Sequence, residues 1–319
     1  MKVISKDELQ DLTTVTGGRF AVNSMESAYN FCKQIATNHY ENFPVGSILI
    51  PKKLRKNFYS VYSFARIADD IADESDDEPE RRIKYLDNLK EILSDNSYNW
   101  EYFENRTSQT EASKKNDLTN PILLSLKQTL NECNIPTEPF LKLLIAFKRD
   151  VNFNHPENFN ELEDYCYYSA NPIGELVLRI FGLYNDTTKK YSDAICTGLQ
   201  FVNFWQDLSV DLQKGRCYLP HEVLQKYSLN KENLHLRENS VNLSKCLNEI
   251  YDYTDSFFKV GWELIHHLKY FRLKIEIKAT IIGGEMLLKK IRKMDSQILK
   301  TRPAHSKADF LNILLKSIL

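Results

Sequence analysis

The chain has 319 residues, with 42 Lys and Arg against 43 Asp and Glu, a formal net charge of −1. No excess positive field is available to hold a polyanion, so nucleic-acid binding is disfavoured. Hydrophobic residues make up 42% of the chain, with 17 Tyr and 17 Phe, which suffices for a large core and excludes global disorder.

The polar stretch from Met1 to Leu12 lacks the apolar centre of a signal peptide, and no run approaches the roughly 18 apolar residues of a spanning helix. A cytoplasmic protein, soluble or resting on a membrane surface, is expected. Ten Gly and ten Pro are few for this length and favour long helices. Apolar residues recur at helical spacing from Ser24 to Thr37, Pro51 to Asp73, Thr137 to Val151, Pro172 to Phe181 and Lys189 to Asp211. Pro51 and Pro172 suit first turns, Asn171 a cap, and Gly215 a stop. Helical pattern then runs from Asn239 through His266 and His267, restarts near Arg272 towards Leu299, and closes with Lys307 to Ile318.

Between these segments, Glu74 to Glu78 reads as a solvated loop and Asp95 to Asn120 as a long surface connection. The sequon Asn105-Arg106-Thr107 within that connection is taken as chance. Cysteines at 32, 133, 166, 196, 217 and 246 form no C-x-x-C pair and read as reduced thiols. With no internal repeat, the expectation is one all-α domain spanning residues 1–319.

Two helices carry the candidate chemistry. In the first, Tyr62 to Asp73, Asp69 and Asp73 are one turn apart, with Arg66 one turn earlier on the same side. In the second, Gln200, Asn203, Asp207 and Asp211 fall within an arc of about 80° on a continuous helix. One D-x-x-x-D is common on solvated faces. Two such pairs, each bounded by apolar residues and attended by Arg66 or Asn203, point instead to an interior site. Aligned carboxylates repel unless cations intervene, and magnesium, which shares its oxygen ligands between carboxylates and phosphates, is the natural occupant. Two facing helices of this kind could grip a diphosphate.

At these residues the sequence resembles the squalene/phytoene synthase family, most nearly its bacterial hydroxysqualene synthase branch. The resemblance runs from about His39 to Asp309 through five motifs in order, beginning at His39-Tyr40-Glu41-Asn42-Phe43-Pro44-Val45 and Phe64-Ala65-Arg66-Ile67-Ala68-Asp69-Asp70-Ile71-Ala72-Asp73. The others are Tyr168-Ser169-Ala170-Asn171-Pro172-Ile173-Gly174, Asn203-Phe204-Trp205-Gln206-Asp207 and Lys214-Gly215-Arg216-Cys217-Tyr218-Leu219-Pro220. It implies an all-α isoprenoid-synthase fold around a central hydrophobic cavity. It further implies magnesium at Asp69, Asp73, Asp207 and Asp211 with Asn203 assisting, and diphosphate contacts from Arg66 and Arg216. Tyr62 and Tyr218 would line the reaction centre, although for Tyr62 simple packing is an equal alternative. Arg216 and Tyr218 could form a flap, and Arg302 a further phosphate contact. Gln200 and Gln206 complete the substrate-binding set. Most condensing members carry an arginine where Gln206 stands, so one fewer cation is expected beside the metal cluster.

The reaction implied is magnesium-dependent conversion of presqualene diphosphate and water to hydroxysqualene and pyrophosphate. No G-x-G-x-x-G fingerprint occurs, so NADPH is not expected. The alternatives are a synthase that condenses two prenyl diphosphates and a non-catalytic helical scaffold binding a metal or a partner. Ala170, Gly174 and Gly198 either admit the hydrocarbon or serve helix packing. His39, His266 and His267 read as packing or helix-end residues. Lys289, Lys290, Arg292 and Lys293 form a basic patch that is either a solvated helix end or a contact for anionic lipid, and substrate hand-over from other squalene-pathway enzymes stays open.

Overall fold

A computed structural model of the chain describes residues 6–14, 16–38, 49–73, 77–94, 120–237 and 240–318. Among the described residues there are α-helices and short 3-10 turns but no β-strand. Backbone packing divides the chain into two compact units, Met1–Asn152 with Arg179–Gly182, and Phe153–Leu178 with Leu183–Leu319. The His39 motif and most of the 95–120 connection, its sequon included, lie outside the described residues.

The first unit contains α1 (Lys6–Leu12), α2 (Met25–Asn38), α3 (Lys52–Asp73), α4 (Pro79–Ser94), α5 (Pro121–Cys133) and α6 (Glu138–Val151). Helix α3 packs against α2, α4, α5 and α6. Its apolar positions recur every three or four residues, and Phe64, Ile67 and Ile71 are at most 2% exposed. Burial of each stabilises the unit by about 1.5–3 kcal/mol. Phe64 meets Phe140 of α6 edge-on at 5.3 Å. Short polar side chains fix the register of α3: Ser60 Oγ donates to Ser125 Oγ (3.1 Å) and Ser63 Oγ to the Cys32 carbonyl (3.1 Å). At the far end of α3, Arg82 Nη1 of α4 donates to the Ala72 carbonyl (2.6 Å), satisfying an acceptor that the helix itself leaves open.

Two expectations fail in this unit, each at a single residue, while residues 74–76 of the first lie outside the described residues and Glu78 is exposed. Asp77, assigned to a solvated loop, is buried and pairs with Arg81 Nη1 at 3.3 Å, a contact one turn further on that sequence polarity alone conceals. Asn120 is fully buried rather than the end of a surface connection. Its Oδ1 accepts from the Ile122 and Leu123 amides to cap α5, while its Nδ2 donates to the Leu12 and Thr14 carbonyls.

The second unit contains α7 (Phe159–Ser169), α8 (Asn171–Ile180, whose last two residues belong to the first unit), α9 (Asp186–Gln206), α10 (Leu208–Gln213) and α11 (His221–Lys226). It continues with α12 (Val241–Gly261), α13 (Leu264–His267), α14 (Phe271–Met294) and α15 (Lys307–Ile318). Helix α9 starts with a reciprocal cap between Asn185 and Thr188 and packs on α12 and α14. Asn171 is helical rather than a cap, and its Oδ1 accepts from Thr197 Oγ1 (3.0 Å). A Cβ on Gly174 would stand 2.3 Å from Ser192 Oγ, so this glycine permits close packing of α8 on α9. A Cβ on Gly198 would meet Phe258 at 3.2 Å. Helix packing therefore accounts for both glycines.

All six cysteines are free thiols. Burial pushes Cys32 and Cys217 up to about 11, and Cys196 and Cys246 up to about 12. The basic patch at the end of α14 is divided. Arg292 pairs with Asp252 (2.8 Å) and Asp255 (2.7 Å), Lys290 Nζ donates to the Ala304 carbonyl (2.6 Å), and Lys289 and Lys293 are exposed. No described helix is long and apolar enough to cross a membrane.

Candidate active site

In the first unit the site residues occupy the last three turns of α3. Arg66 Nη2 lies 2.5 Å from Asp70 Oδ1 and Arg66 Nη1 donates to Asp69 Oδ2 at 3.4 Å. The Asp70 side chain is 4% exposed and that of Asp69 41%, so one carboxylate anchors the guanidinium inside while its neighbour faces outward. Asp73 is exposed one turn beyond Asp69. Tyr62 is half-buried; burial raises its pKa most, Arg66 opposes that, and Asp70 and Asp69 add to it. The phenol therefore stays protonated at neutral pH and can donate a hydrogen bond. The structure thus brings Tyr62, Arg66 and Asp69 together and adds Asp70, which sequence reasoning passed over. Its signal was the i,i+4 spacing from Arg66, the spacing of a helical ion pair.

In the second unit the expected continuous helix is broken. Helix α9 ends at Gln206, Asp207 takes φ −93° and ψ 4°, and α10 begins at Leu208. The Asp207 amide still donates to the Asn203 carbonyl (2.9 Å), while its own carbonyl accepts from both Val210 (2.9 Å) and Asp211 (2.8 Å). The single arc of four polar residues is thereby corrected: Gln200 and Asn203 ride on α9, Asp211 on α10, and Asp207 at the joint. Asn203 is exposed, and Gln200, Asp207 and Asp211 are half-buried. Behind them Phe201, Val202, Phe204, Trp205 and Leu208 are at most 4% exposed. Trp205 Nε1 donates to Thr254 Oγ1 (2.9 Å), which satisfies the indole in the core.

Helix α10 stops at Gly215, whose φ of +76° is open to glycine without strain. The Arg216 amide donates to the Asp211 carbonyl (2.8 Å) and the Gly215 amide to the Leu212 carbonyl (3.1 Å), a Schellman closure. The carbonyl of one candidate ligand is thus bonded to the backbone of a candidate phosphate-binding residue. The segment beyond it is packed. Cys217 and Leu219 are fully buried, Tyr218 is 8% exposed, and His155 Nε2 lies 2.7 Å from the Leu219 carbonyl. The Tyr218 ring stacks on Phe204 at 4.0 Å and 12°, with Phe153 edge-on at 5.1 Å. Apolar neighbours thus hold this segment in the packed interior.

Sequence reasoning also misjudged the charge beside Asp207. Arg302 Nε donates to Asp207 Oδ1, and Arg302 Nη2 to Oδ2 at 3.4 Å. Gln206 Nε2 donates to the Pro303 carbonyl (2.7 Å). Residues 302 and 303 therefore lie across the second aspartate motif, and Arg302 supplies a guanidinium where Gln206 leaves none. A contact between residues 95 positions apart has no local signal in the sequence.

Among the described residues, no three His, Cys, Asp or Glu side chains converge on a point. Each aspartate pair instead offers two carboxylates, partly open to solvent. This donor set fits magnesium, which takes one or two protein carboxylates and completes its shell with phosphate oxygens and water.

The sequence pattern of the Squalene/phytoene synthase family matches residues 36–309. The hydroxysqualene synthase of Rhodopseudomonas palustris is 32% identical over 261 residues, covering 81% of this chain and 82% of that protein. The hydroxysqualene synthase of Sinorhizobium fredii is 30% identical over 262 residues, 82% of each chain. The crystal structure of squalene synthase HpnC from Alicyclobacillus acidocaldarius superposes with a TM-score of 0.72 at 33% identity, covering 85% of this chain and 95% of that one. The fold is the all-α isoprenoid synthase fold.

Proposed function

This chain belongs to the squalene/phytoene synthase family, and we propose that within it the protein converts presqualene diphosphate and water to hydroxysqualene and pyrophosphate. The observation that carries this reading is that each aspartate motif is held on a buried apolar core, the first on α3 and the second across the α9–α10 joint, and has a guanidinium on one of its carboxylates, Arg66 at Asp69 and Arg302 at Asp207. Relatives at 30–32% identity that bear the name hydroxysqualene synthase support the choice of reaction.

In this reading Asp69, Asp73, Asp207 and Asp211, with Asn203, hold magnesium. When bound, the metal would neutralise diphosphate oxygen charge and so assist departure of pyrophosphate. The chain's own groups do the rest. Arg66, fixed by Asp70, and Arg216 orient the diphosphate, and Arg302 exchanges its carboxylate partner for phosphate oxygens, which a guanidinium also binds in bidentate fashion. The carbon–oxygen bond breaks with both electrons leaving on pyrophosphate, and the resulting cyclopropylcarbinyl cation rearranges. Water adds to it and loses a proton, so no hydride donor is required. Tyr62, kept protonated by burial, offers a hydrogen bond without becoming an anionic nucleophile. Gln200 and Gln206 contribute neutral polar contacts, and Tyr218 presents an aromatic wall stacked on Phe204.

A second reading, condensation of two prenyl diphosphates, is favoured by the Arg302 guanidinium, which restores the positive charge that Gln206 lacks. Purified protein with magnesium, given presqualene diphosphate in one tube and farnesyl diphosphate in another, separates the two. Hydroxysqualene from the first and no product from the second is expected. Coupled product from farnesyl diphosphate overturns the proposal in favour of the second reading. No magnesium-dependent pyrophosphate release from either, unchanged by Asp69→Asn with Asp207→Asn, would leave a binding scaffold.

A further inference from the structure

Helix α15 rests on α14, and its buried residues are Ile313 and Ser317. At about 100° per residue, Phe310, Leu311, Leu314, Leu315 and Ile318 occupy an arc of about 140° turned away from Ile313. They are 61%, 60%, 48%, 56% and 54% exposed. Scattered apolar side chains on a surface need no explanation, but five sharing one helix face mark an interaction site.

The charge of the same region identifies the partner. Residues 268–319 carry twelve Lys and Arg against four Asp and Glu, a net +8 in a chain whose total is −1. Lys307 and Lys316 of α15 are exposed, as are Lys269 and Arg272, which flank the exposed rings of Tyr270 and Phe271 at the start of α14. We propose that this face docks on a bilayer containing anionic phospholipid, with α15 lying in the interfacial plane, its leucines and phenylalanine in the acyl boundary and the exposed cations of the surrounding region attracting the headgroups. A second copy of the chain is the other apolar partner to consider, but pairing like faces would bring together two sets of the exposed cations Lys269, Arg272, Lys307 and Lys316, whereas anionic headgroups complement them. The helix is 12 residues long, so it can lie on a bilayer and is too short to cross one. Because Arg292 and Lys290 are engaged internally, the docking surface is centred on α15 and not on the basic run at the end of α14.

The test is flotation of the full-length protein with vesicles of phosphatidylglycerol and phosphatidylcholine in equal parts, against vesicles of phosphatidylcholine alone. Binding to the anionic vesicles is expected, weakening as salt is raised and falling about tenfold or more in a Leu311→Ser, Leu315→Ser double variant. Both leucines are exposed, and an unchanged circular dichroism melt confirms that the variant folds. Equal retention of variant and parent, no binding by the parent, or equal binding to phosphatidylcholine alone overturns the proposal. So does a lipid-free dimer, seen by light scattering, that the double variant dissociates.

Discussion

Asp69 and Asp70 are adjacent in sequence, yet replacing each by Asn is expected to have opposite consequences. Asp70→Asn removes the charge that holds Arg66 where the side chains are 4% and 16% exposed and 2.5 Å apart. Removing one partner of such a pair leaves an uncompensated buried charge and costs about 3–5 kcal/mol. Asp69 remains at 3.4 Å as a weaker partner, which puts the loss near the lower end, about 3 kcal/mol. Asp69→Asn weakens that long contact on a side chain 41% exposed, a loss under about 1 kcal/mol. With a urea dependence of about 3 kcal/mol per molar, the unfolding midpoint falls by about 1 M for Asp70→Asn and by about 0.3 M or less for Asp69→Asn. Circular dichroism against urea measures the midpoints, and pyrophosphate release from presqualene diphosphate measures activity. Asp69→Asn should be folded and inactive. Equal midpoint shifts, or an Asp70→Asn protein as stable as its parent, would refute the division into an anchoring and a metal-facing carboxylate.

Gln206→Arg sets a second guanidinium beside Arg302 at Asp207 and should not by itself permit presqualene diphosphate formation from farnesyl diphosphate; appearance of that product in an extract of the reaction would count against the hydration reading. Alkaline stability should fall in a defined window. Burial raises Cys32, Cys217, Cys196 and Cys246, and Tyr29 to about 12, so these groups stay protonated when folded and ionise first when unfolded. Their stabilisation is complete below about pH 8.5, the unfolded thiol value, and is lost as pH rises through the folded values. Urea midpoints measured from pH 8 upward should therefore decline, and a flat profile would contradict the assignment.

The helices with long apolar periodicity were legible because one face of each is buried, as in α2, α3 and α6, whereas α15 was legible from the same spacing although most of its apolar side chains are exposed. The short helices α7 and α11 offered little apolar pattern, α7 burying only Leu162 and Cys166, whereas α4 buries Tyr85, Leu86, Leu89, Ile92 and Leu93, all of them behind a largely polar first turn and a half. The joint at Asp207 was invisible because Phe201, Phe204 and Leu208 keep the apolar spacing through it, and only the backbone departs. In the site itself, contacts within one or two turns, Arg66 with Asp69 above all, followed from helical spacing. Arg302 at Asp207, Gln206 at Pro303 and Tyr218 on Phe204 did not, because each joins residues from separate segments through packing.

The stretch that carries Arg302 continues within five residues into α15, a contour of no more than about 17 Å. The counter-charge of Asp207 is thus tethered to an outer helix and not to the helix that carries the aspartate. Lifting α15 from α14 would tug that tether, so a disturbance at the periphery has a covalent route to the carboxylate and needs no relay through the core.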